Sequence, residues 1–199
     1  MRLIIAGATG LCGSEVLRQS LKNPKITSIV ALARRPVSVP ENSGNEIDAS
    51  KLKSVVLEDF GSYPEDVKKQ LTDADACIWT VAITPTKSRD TEWDEVVRVN
   101  HDYASEPYST LAKLPGETEN QVLAFAEEHK IEACVAKPGI ITAPWRAENP
   151  AMAKFPKIDV SEVAAAMIDQ VLNGFEKEPL WNEDLLRIGQ RVLKGSSEV

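Results

Sequence analysis

Apolar positions along the chain fall into two patterns, short continuous runs and stripes at helical spacing. The runs are Leu3 to Ala6, Ile26 to Ala33, Lys53 to Leu57, Ala74 to Ile83 and Ile131 to Ala136, all of strand length. The fourth is nearly unbroken (Ala76, Cys77, Ile78, Trp79, Val81, Ala82, Ile83), which predicts a parallel strand covered on both faces. Between the runs lie helical stripes. One follows Gly13, a second runs from Ser62, Pro64 and Glu65 to Leu71, and a third starts at Thr91 and carries Trp93, Val96, Val97 and Asn100. Gly116 to His129 follows, with Val122, Leu123, Phe125 and Ala126 as its apolar positions. The strongest stripe is Val160, Val163, Ala164, Met167, Ile168, Val171 and Leu172, opened by the capping pair Asp159 and Glu162 and stopped by Gly174. A shorter helix, Glu183 to Leu193, closes the chain, and Pro40 to Ser50 reads as a polar, mobile loop. Strand and helix alternate throughout, which predicts an α/β fold: a doubly wound, mainly parallel sheet of about five strands with helices on both faces. There are no internal repeats and no low-complexity tract.

The first strand leads into Gly7-Ala8-Thr9-Gly10-Leu11-Cys12-Gly13, and a helix starts directly behind it. Strand, glycine turn and helix open a dinucleotide-binding βαβ unit. Gly7 lets the chain turn sharply out of the strand, Gly10 lets a pyrophosphate approach the main chain, and Gly13 lets the helix lie close to the sheet. The helix N-terminus then offers free N–H groups and a partial positive charge to the phosphates. An NAD-preferring unit places an acid roughly 20 residues past the glycines, on the ribose 2′-hydroxyl. Here the second strand ends in Arg34-Arg35-Pro36. Two guanidinium groups suit a 2′-phosphate, so NADP is the expected cofactor.

Composition narrows the partners. At 199 residues one domain is expected, with 140–199 supplying a small, helical, substrate-side part. A net charge of −7 argues against a nucleic-acid partner, and no run approaches a membrane span. The partners expected are a small-molecule substrate and, at most, a second copy of the chain in a homodimer. Cys12, Cys77 and Cys134 are far apart, and the two histidines have no ligand spacing, so no metal site is expected. Reduced thiols in the cytoplasm are the default expectation, since no signal-peptide pattern is present.

Taken together, several stretches in order along the chain resemble an atypical short-chain dehydrogenase/reductase of the epimerase-like branch. They are Gly7 to Gly13, Ala33-Arg34-Arg35-Pro36, Asp59-Phe60, Val99-Asn100, Gly116-Glu117-Thr118-Glu119-Asn120 and Lys137-Pro138-Gly139. The resemblance implies a Rossmann sheet with the cofactor across its strand ends. Thr9 and Leu11 would then lie in the phosphate turn, Asp59 and Phe60 on the adenine side, and Val81, Ala82 and Ile83 along the ribose. Pro138 and Gly139 would lie near the nicotinamide.

The family's chemistry uses a Tyr with a Lys four positions on, a Ser or Thr from a preceding strand, and often an Asn. Asn100 matches the Asn. Counting back from Gly116 puts Pro115 in the lysine place and Leu111 in the tyrosine place, where neither can move a proton. Between Asn100 and Gly116 the family normally has a whole strand carrying the Ser, and this chain has too few residues there and no apolar run. The expectation is a lost strand, with the Val96 and Val122 helices forming a hairpin. The remaining acid–base candidates are Tyr108, with Lys113 five residues on, while Ser105, Ser109 and Thr110 could supply the hydroxyl.

Three functional readings follow. One is an NADPH-dependent reductase using Tyr108 and Lys113. Another is a non-redox isomerase or cyclase, with His101, Asp102, Tyr108 or Lys113 as acid or base. The third is a cofactor-binding sensor without catalysis. Residues Thr84 to Asp90 and Ile140 to Phe155, with Trp145, are expected to form the substrate pocket and to favour a bulky, partly apolar ligand.

Overall fold

The computed structural model describes residues 1–41, 43–44, 46–83, 90–102, 115–147, 150 and 153–195. Four parallel strands form the main sheet: β1 (Arg2–Ala6), β2 (Ser28–Ala33), β3 (Leu52–Val56) and β4 (Ala76–Trp79). Their spatial order is β3-β2-β1-β4, so the chain lays strands to one side of β1 and then returns to its other side. Leu3 pairs with Ile29 in β2 and with Ala76 in β4. The reversal makes a crevice at the carboxyl ends of β1 and β4, the place where open α/β sheets bind ligands.

Both faces of this sheet are packed. On one face Leu3, Ile5, Ile29 and Ala31 meet Val16, Leu17 and Leu21 of α1 (Leu11–Lys22), with Ala164 and Ile168 joining from a helix near the C-terminus. On the other, Val30, Leu32 and Val55 meet Phe60, Val67 of α2 (Glu65–Leu71) and Val99. Each large side chain withdrawn this fully is worth about 1.5–3 kcal/mol. The chain after β4 forms α3 (Trp93–Val97), a π turn (Arg98–Asp102) and α4 (Pro115–His129). The C-terminal part adds β5 (Ala136–Lys137), β6 (Ile140–Thr142), β7 (Lys157–Asp159), α5 (Val160–Asn173), β8 (Leu180–Trp181) and α6 (Asn182–Gly195). β5 pairs with β8 and β6 with β7, both parallel, over a third core of Ile158, Val163, Leu180, Leu185 and Ile188.

The cap read at Asp159 forms a full capping box. Its carboxylate accepts from Ser161 N at 2.8 Å, and Glu162 Oε2 accepts from Asp159 N at 3.1 Å. Asp159→Ala should cost about 1 kcal/mol, which thermal denaturation would report as a fall of about 2–4 °C.

Three expectations change. The run Ile131 to Ala136 does not become a fifth strand of the main sheet. Only Ala136 and Lys137 are strand, Val135 N donates to Glu178 Oε2 at 2.7 Å, and Leu180 N donates to Val135 O at 2.9 Å. At Val135 and Ala136 the main chain is bonded by the C-terminal part, while Ile131 N donates to Ala126 O at 3.0 Å and the Ile131 side chain is exposed. Among the described residues nothing pairs with the outer edge of β4. Nor is β4 covered on both faces. Ile78 is buried, Ala76 and Trp79 are half-buried, and Cys77 is exposed. Finally, the 37–48 segment is not simply a solvated loop. Val37, Val39 and Ile47 pack on the first core, and Ser43 is buried with its hydroxyl on Pro40 O at 2.6 Å. The expected hairpin of α3 and α4 is seen only where α4 meets the π turn, and of the apolar side chains read on α4 only Ala126 is buried. The residues that would join the two helices lie outside the described ones.

Candidate functional site

The crevice is built first from main chain. Gly7 leaves β1 with φ +82°, a conformation that costs glycine nothing, and its N–H donates to Leu32 O at 2.9 Å. Gly10 N then closes the turn on Gly7 O at 2.8 Å. Gly13 comes in from α1 so closely that a Cβ on it would lie 2.2 Å from Gly7 O and 2.8 Å from Thr80 Oγ1. A Cβ on Gly10 would meet only Gly7 O, at 3.2 Å. The two glycines therefore do different things: Gly13 seats the helix, and Gly10 keeps the outer side of the turn open. The N-cap of α1 is Gly10, with no side-chain cap bond, so the first-turn N–H groups are available to an anion. This is the cradle a pyrophosphate requires.

Thr80, just past β4, ties the two strand ends together and is not singled out by the sequence. Its hydroxyl donates to Ala6 O at 2.7 Å and its N–H to the same oxygen at 2.9 Å. Val81 follows, half-buried against the second core, while Ala82 is exposed.

The two arginines at the end of β2 diverge. Arg35 lines a cavity of about 270 Å³ with Thr9, Ser14 and Ser38, and Glu41 also stands on its wall. Arg34 lies within electrostatic reach of Glu95 on α3. Asp59 at the end of β3 accepts from Gly61 N at 3.0 Å and lies 3.6 Å from Arg98 Nη1. Phe60 points inward, 2% exposed, edge-to-face with Trp79 at 5.6 Å. Its ring serves the core, so any contact with an adenine must come through its main chain.

Asn100 is held by the π turn against the strand exit. Its Nδ2 donates to Ile83 O at 2.9 Å, and its Oδ1 accepts from Ile83 N at 2.5 Å. Both ends of the amide are committed to the main chain of Ile83, so Asn100 fixes the course of the chain just past β4. Tyr108 and Lys113 lie outside the described residues, as do Ser105, Ser109, Thr110 and 84–89 of the expected pocket. Tyr63 is set aside by its surroundings: burial, and behind it the neighbouring Cys77, push its phenol up to about 12.

At the turn expected to lie near the nicotinamide, Gly139 N donates to Asn182 Oδ1 at 2.7 Å, and a Cβ there would lie 2.3 Å from Pro156 O. Lys137 Nζ pairs with Glu119 at 2.7 Å and sits 4.7 Å over the Trp181 ring. Trp181 and Asn182 have no sequence signal of their own, because β8 reaches Pro138 only through the C-terminal fold. Trp145 and Phe155 are exposed, 66% and 56%. Among the described residues no cluster of His, Cys, Asp and Glu could hold a metal, and no helix is long and apolar enough to cross a membrane.

This architecture is a Rossmann-type α/β fold, and solved structures share it. The reductase domain of PhqB from Penicillium fellutanum superposes with a TM-score of 0.64 over 92% of this chain and 67% of that one, at 16% identity. A short-chain dehydrogenase/reductase from Saccharomyces cerevisiae does so at 0.61, covering 94% and 98%, at 15% identity. The dTDP-glucose 4,6-dehydratase DesIV from Streptomyces venezuelae, solved with NAD bound, gives 0.64 over 98% and 81%, at 13% identity. No protein-family model matches the chain. In sequence it is 34% identical over 80 residues to Leucinostatins biosynthesis cluster protein T of Purpureocillium lilacinum, a match spanning 40% of this chain and only 27% of that protein. It is 24% identical over 164 residues to Protein FMP52, mitochondrial, of Candida albicans, 71% of this chain and 67% of that one.

Proposed function

We propose that the protein binds NADP(H) across the Gly7–Gly13 turn and acts on a small, partly apolar metabolite as an oxidoreductase. The observation that carries the cofactor half is the cradle itself. Three glycines, an uncapped helix N-terminus and Thr80 make a site with the shape and polarity for a pyrophosphate at the strand-order reversal. DesIV holds NAD; what turns the reading toward NADP here is Arg34 and Arg35 at the end of β2, with Arg35 beside Thr9 on the cavity wall. In this reading Tyr108 serves as the acid–base group and Lys113 lowers its pKa, while Asn100 braces the ribose side of the cleft.

Replacing both arginines with alanine is expected to weaken NADPH far more than NADH. Charge-assisted bonds of about 1.5–3 kcal/mol each make the NADPH loss roughly 100-fold or more. Equal losses for the two cofactors would remove the phosphate assignment.

A non-redox isomerase or a non-catalytic binding protein is favoured by a specific observation. Leu111 and Pro115 stand where the tyrosine and lysine belong, and the one matched polar residue, Asn100, spends its amide on Ile83. NADPH fluorescence on adding protein, then a screen for carbonyl-dependent NADPH oxidation, separates the readings. Binding with oxidation supports the reductase, and binding without it supports the sensor. As to compartment, three unpaired thiols suit a reducing space. The FMP52 relatives are named mitochondrial, so imaging of the tagged full chain should score cytosol against mitochondrion.

A further inference from the structure

We infer that Glu41 is a cofactor-specificity residue, a carboxylate that shares the Arg35 cavity and opposes a 2′-phosphate bound there. The inference rests on the dinucleotide reading above and asks what sets its selectivity. The cavity of about 270 Å³ begins at the phosphate turn, since Ala8 and Thr9, between Gly7 and Gly10, line it. Ser14 and Leu17 of α1 form one wall, and the chain from Arg35 to Glu41 forms another. A ligand seated on the glycine turn therefore meets a cavity in which Arg35 is the cation of the lining and Glu41 the carboxylate. Glu41 is placed by its neighbours. Val37 N donates to Ser54 Oγ at 2.8 Å, and Val37 and Val39 pack on the first core. Pro40 O accepts from Ser43 N at 3.2 Å and from Ser43 Oγ at 2.6 Å, and Ser43 is buried. The segment is thus anchored just before Glu41 and just after it, which holds this residue at the wall although its side chain is exposed. Among the described residues no ion pair joins it to Arg35.

An NAD-preferring unit gains its selectivity from an acid directly after the second strand, on the ribose 2′-hydroxyl. This chain has Arg34 and Arg35 in that place and brings an acid from further along the same segment. With neither charge paired to the other, the cavity offers a guanidinium to a 2′-phosphate and a carboxylate to a ribose hydroxyl. Taken as a sphere, a cavity of this volume is about 8 Å across, no more than the screening length of about 8 Å at physiological ionic strength. A charge on its wall therefore acts on whatever enters. NADP(H) brings a phosphate of nearly two negative charges. Repulsion by Glu41 lowers the NADPH preference that Arg35 would otherwise confer, and NADH, without the phosphate, escapes most of it.

The test is equilibrium binding of NADPH and NADH to the full chain and to Glu41→Gln, with 2′,5′-ADP and 5′-AMP as competitors. Glu41→Gln removes one charge and keeps the shape of an exposed side chain. The NADPH-to-NADH affinity ratio should rise about 5-fold, the scale of one unit-charge contact near a wetted surface. The ratio for 2′,5′-ADP over 5′-AMP should rise with it. A residue that only shaped the turn would change all four affinities by one factor and leave both ratios where they were. Glu41→Lys should raise both ratios further, and about 1 M salt, with a screening length of about 3 Å, should erase most of the gain. Arg35→Gln should move the ratios the opposite way; ratios unmoved by it put the phosphate outside this cavity and overturn the inference. An unchanged or lower ratio in Glu41→Gln, with both dinucleotides still bound, also overturns it and leaves the cofactor assignment standing. Failure of the unaltered chain to bind either dinucleotide removes both.

Discussion

Gly13→Ala should abolish dinucleotide binding and also destabilise the protein. The new Cβ would fall 2.2 Å from Gly7 O and 2.8 Å from Thr80 Oγ1, so α1 or the turn must move. Overpacking of this kind costs about 2–3 kcal/mol, a fall of about 5–10 °C in the melting temperature. Gly10→Ala is the informative contrast. Its Cβ meets only one main-chain oxygen, at 3.2 Å, and otherwise faces the crevice. The fold should keep its melting temperature within about 2 °C, while NADPH affinity falls at least about 100-fold because the methyl holds the pyrophosphate off the turn. Scanning calorimetry and fluorescence titration on the two variants measure both quantities. If Gly10→Ala binds as well as the unaltered chain, the turn is a packing device and the dinucleotide site is elsewhere.

Tyr108→Phe should remove most of any carbonyl reduction and leave NADPH affinity within about 3-fold, since loss of a general acid typically costs about 10²–10⁴-fold in rate. Lys113→Ala should lower both rate and affinity, because a lysine in this role also holds the nicotinamide ribose. Both positions lie outside the described residues, so the expectation stands on sequence and on the elimination of alternatives. A phenol titrates near 10 and needs a neighbouring cation to work at neutral pH. Tyr63 lacks one. Its phenol is pushed up to about 12 by burial and by Cys77, and Tyr63→Phe should leave turnover unchanged. Tyr103, the other tyrosine near the segment, is the control that must also be replaced. Full activity in Tyr108→Phe would mean that the shortened segment works through different groups.

The glycine turn and the strand-to-helix unit around it were largely legible in the sequence. Gly7, Gly10 and Gly13 occupy adjoining turns of one local unit, and local geometry follows from local residues. The same holds for the Asp159 capping box and the stop at Gly174, which involve groups within a few residues of one another. Short apolar runs located the four strands of the main sheet, and of these β2, inside the sheet, is buried on both faces as a covered parallel strand has to be.

What the sequence could not assign was pairing across distance. Ile131 to Ala136 has a strand's composition, but the partner of a strand depends on which main-chain groups the fold leaves open, and here those belong to 178–181. Cys77 looked as buried as Ile78, and only the absence of cover over that face of β4, among the described residues, exposes it. Thr80 binding Ala6 O, Asn182 holding Gly139 N and Arg98 beside Asp59 are likewise contacts between remote elements. By itself, then, the sequence determined an α/β chain with a glycine turn between its first strand and first helix, since those properties rest on residue type and spacing. The tertiary structure alone decided which side chains brace that turn, because such contacts form only once the strands have been ordered β3-β2-β1-β4.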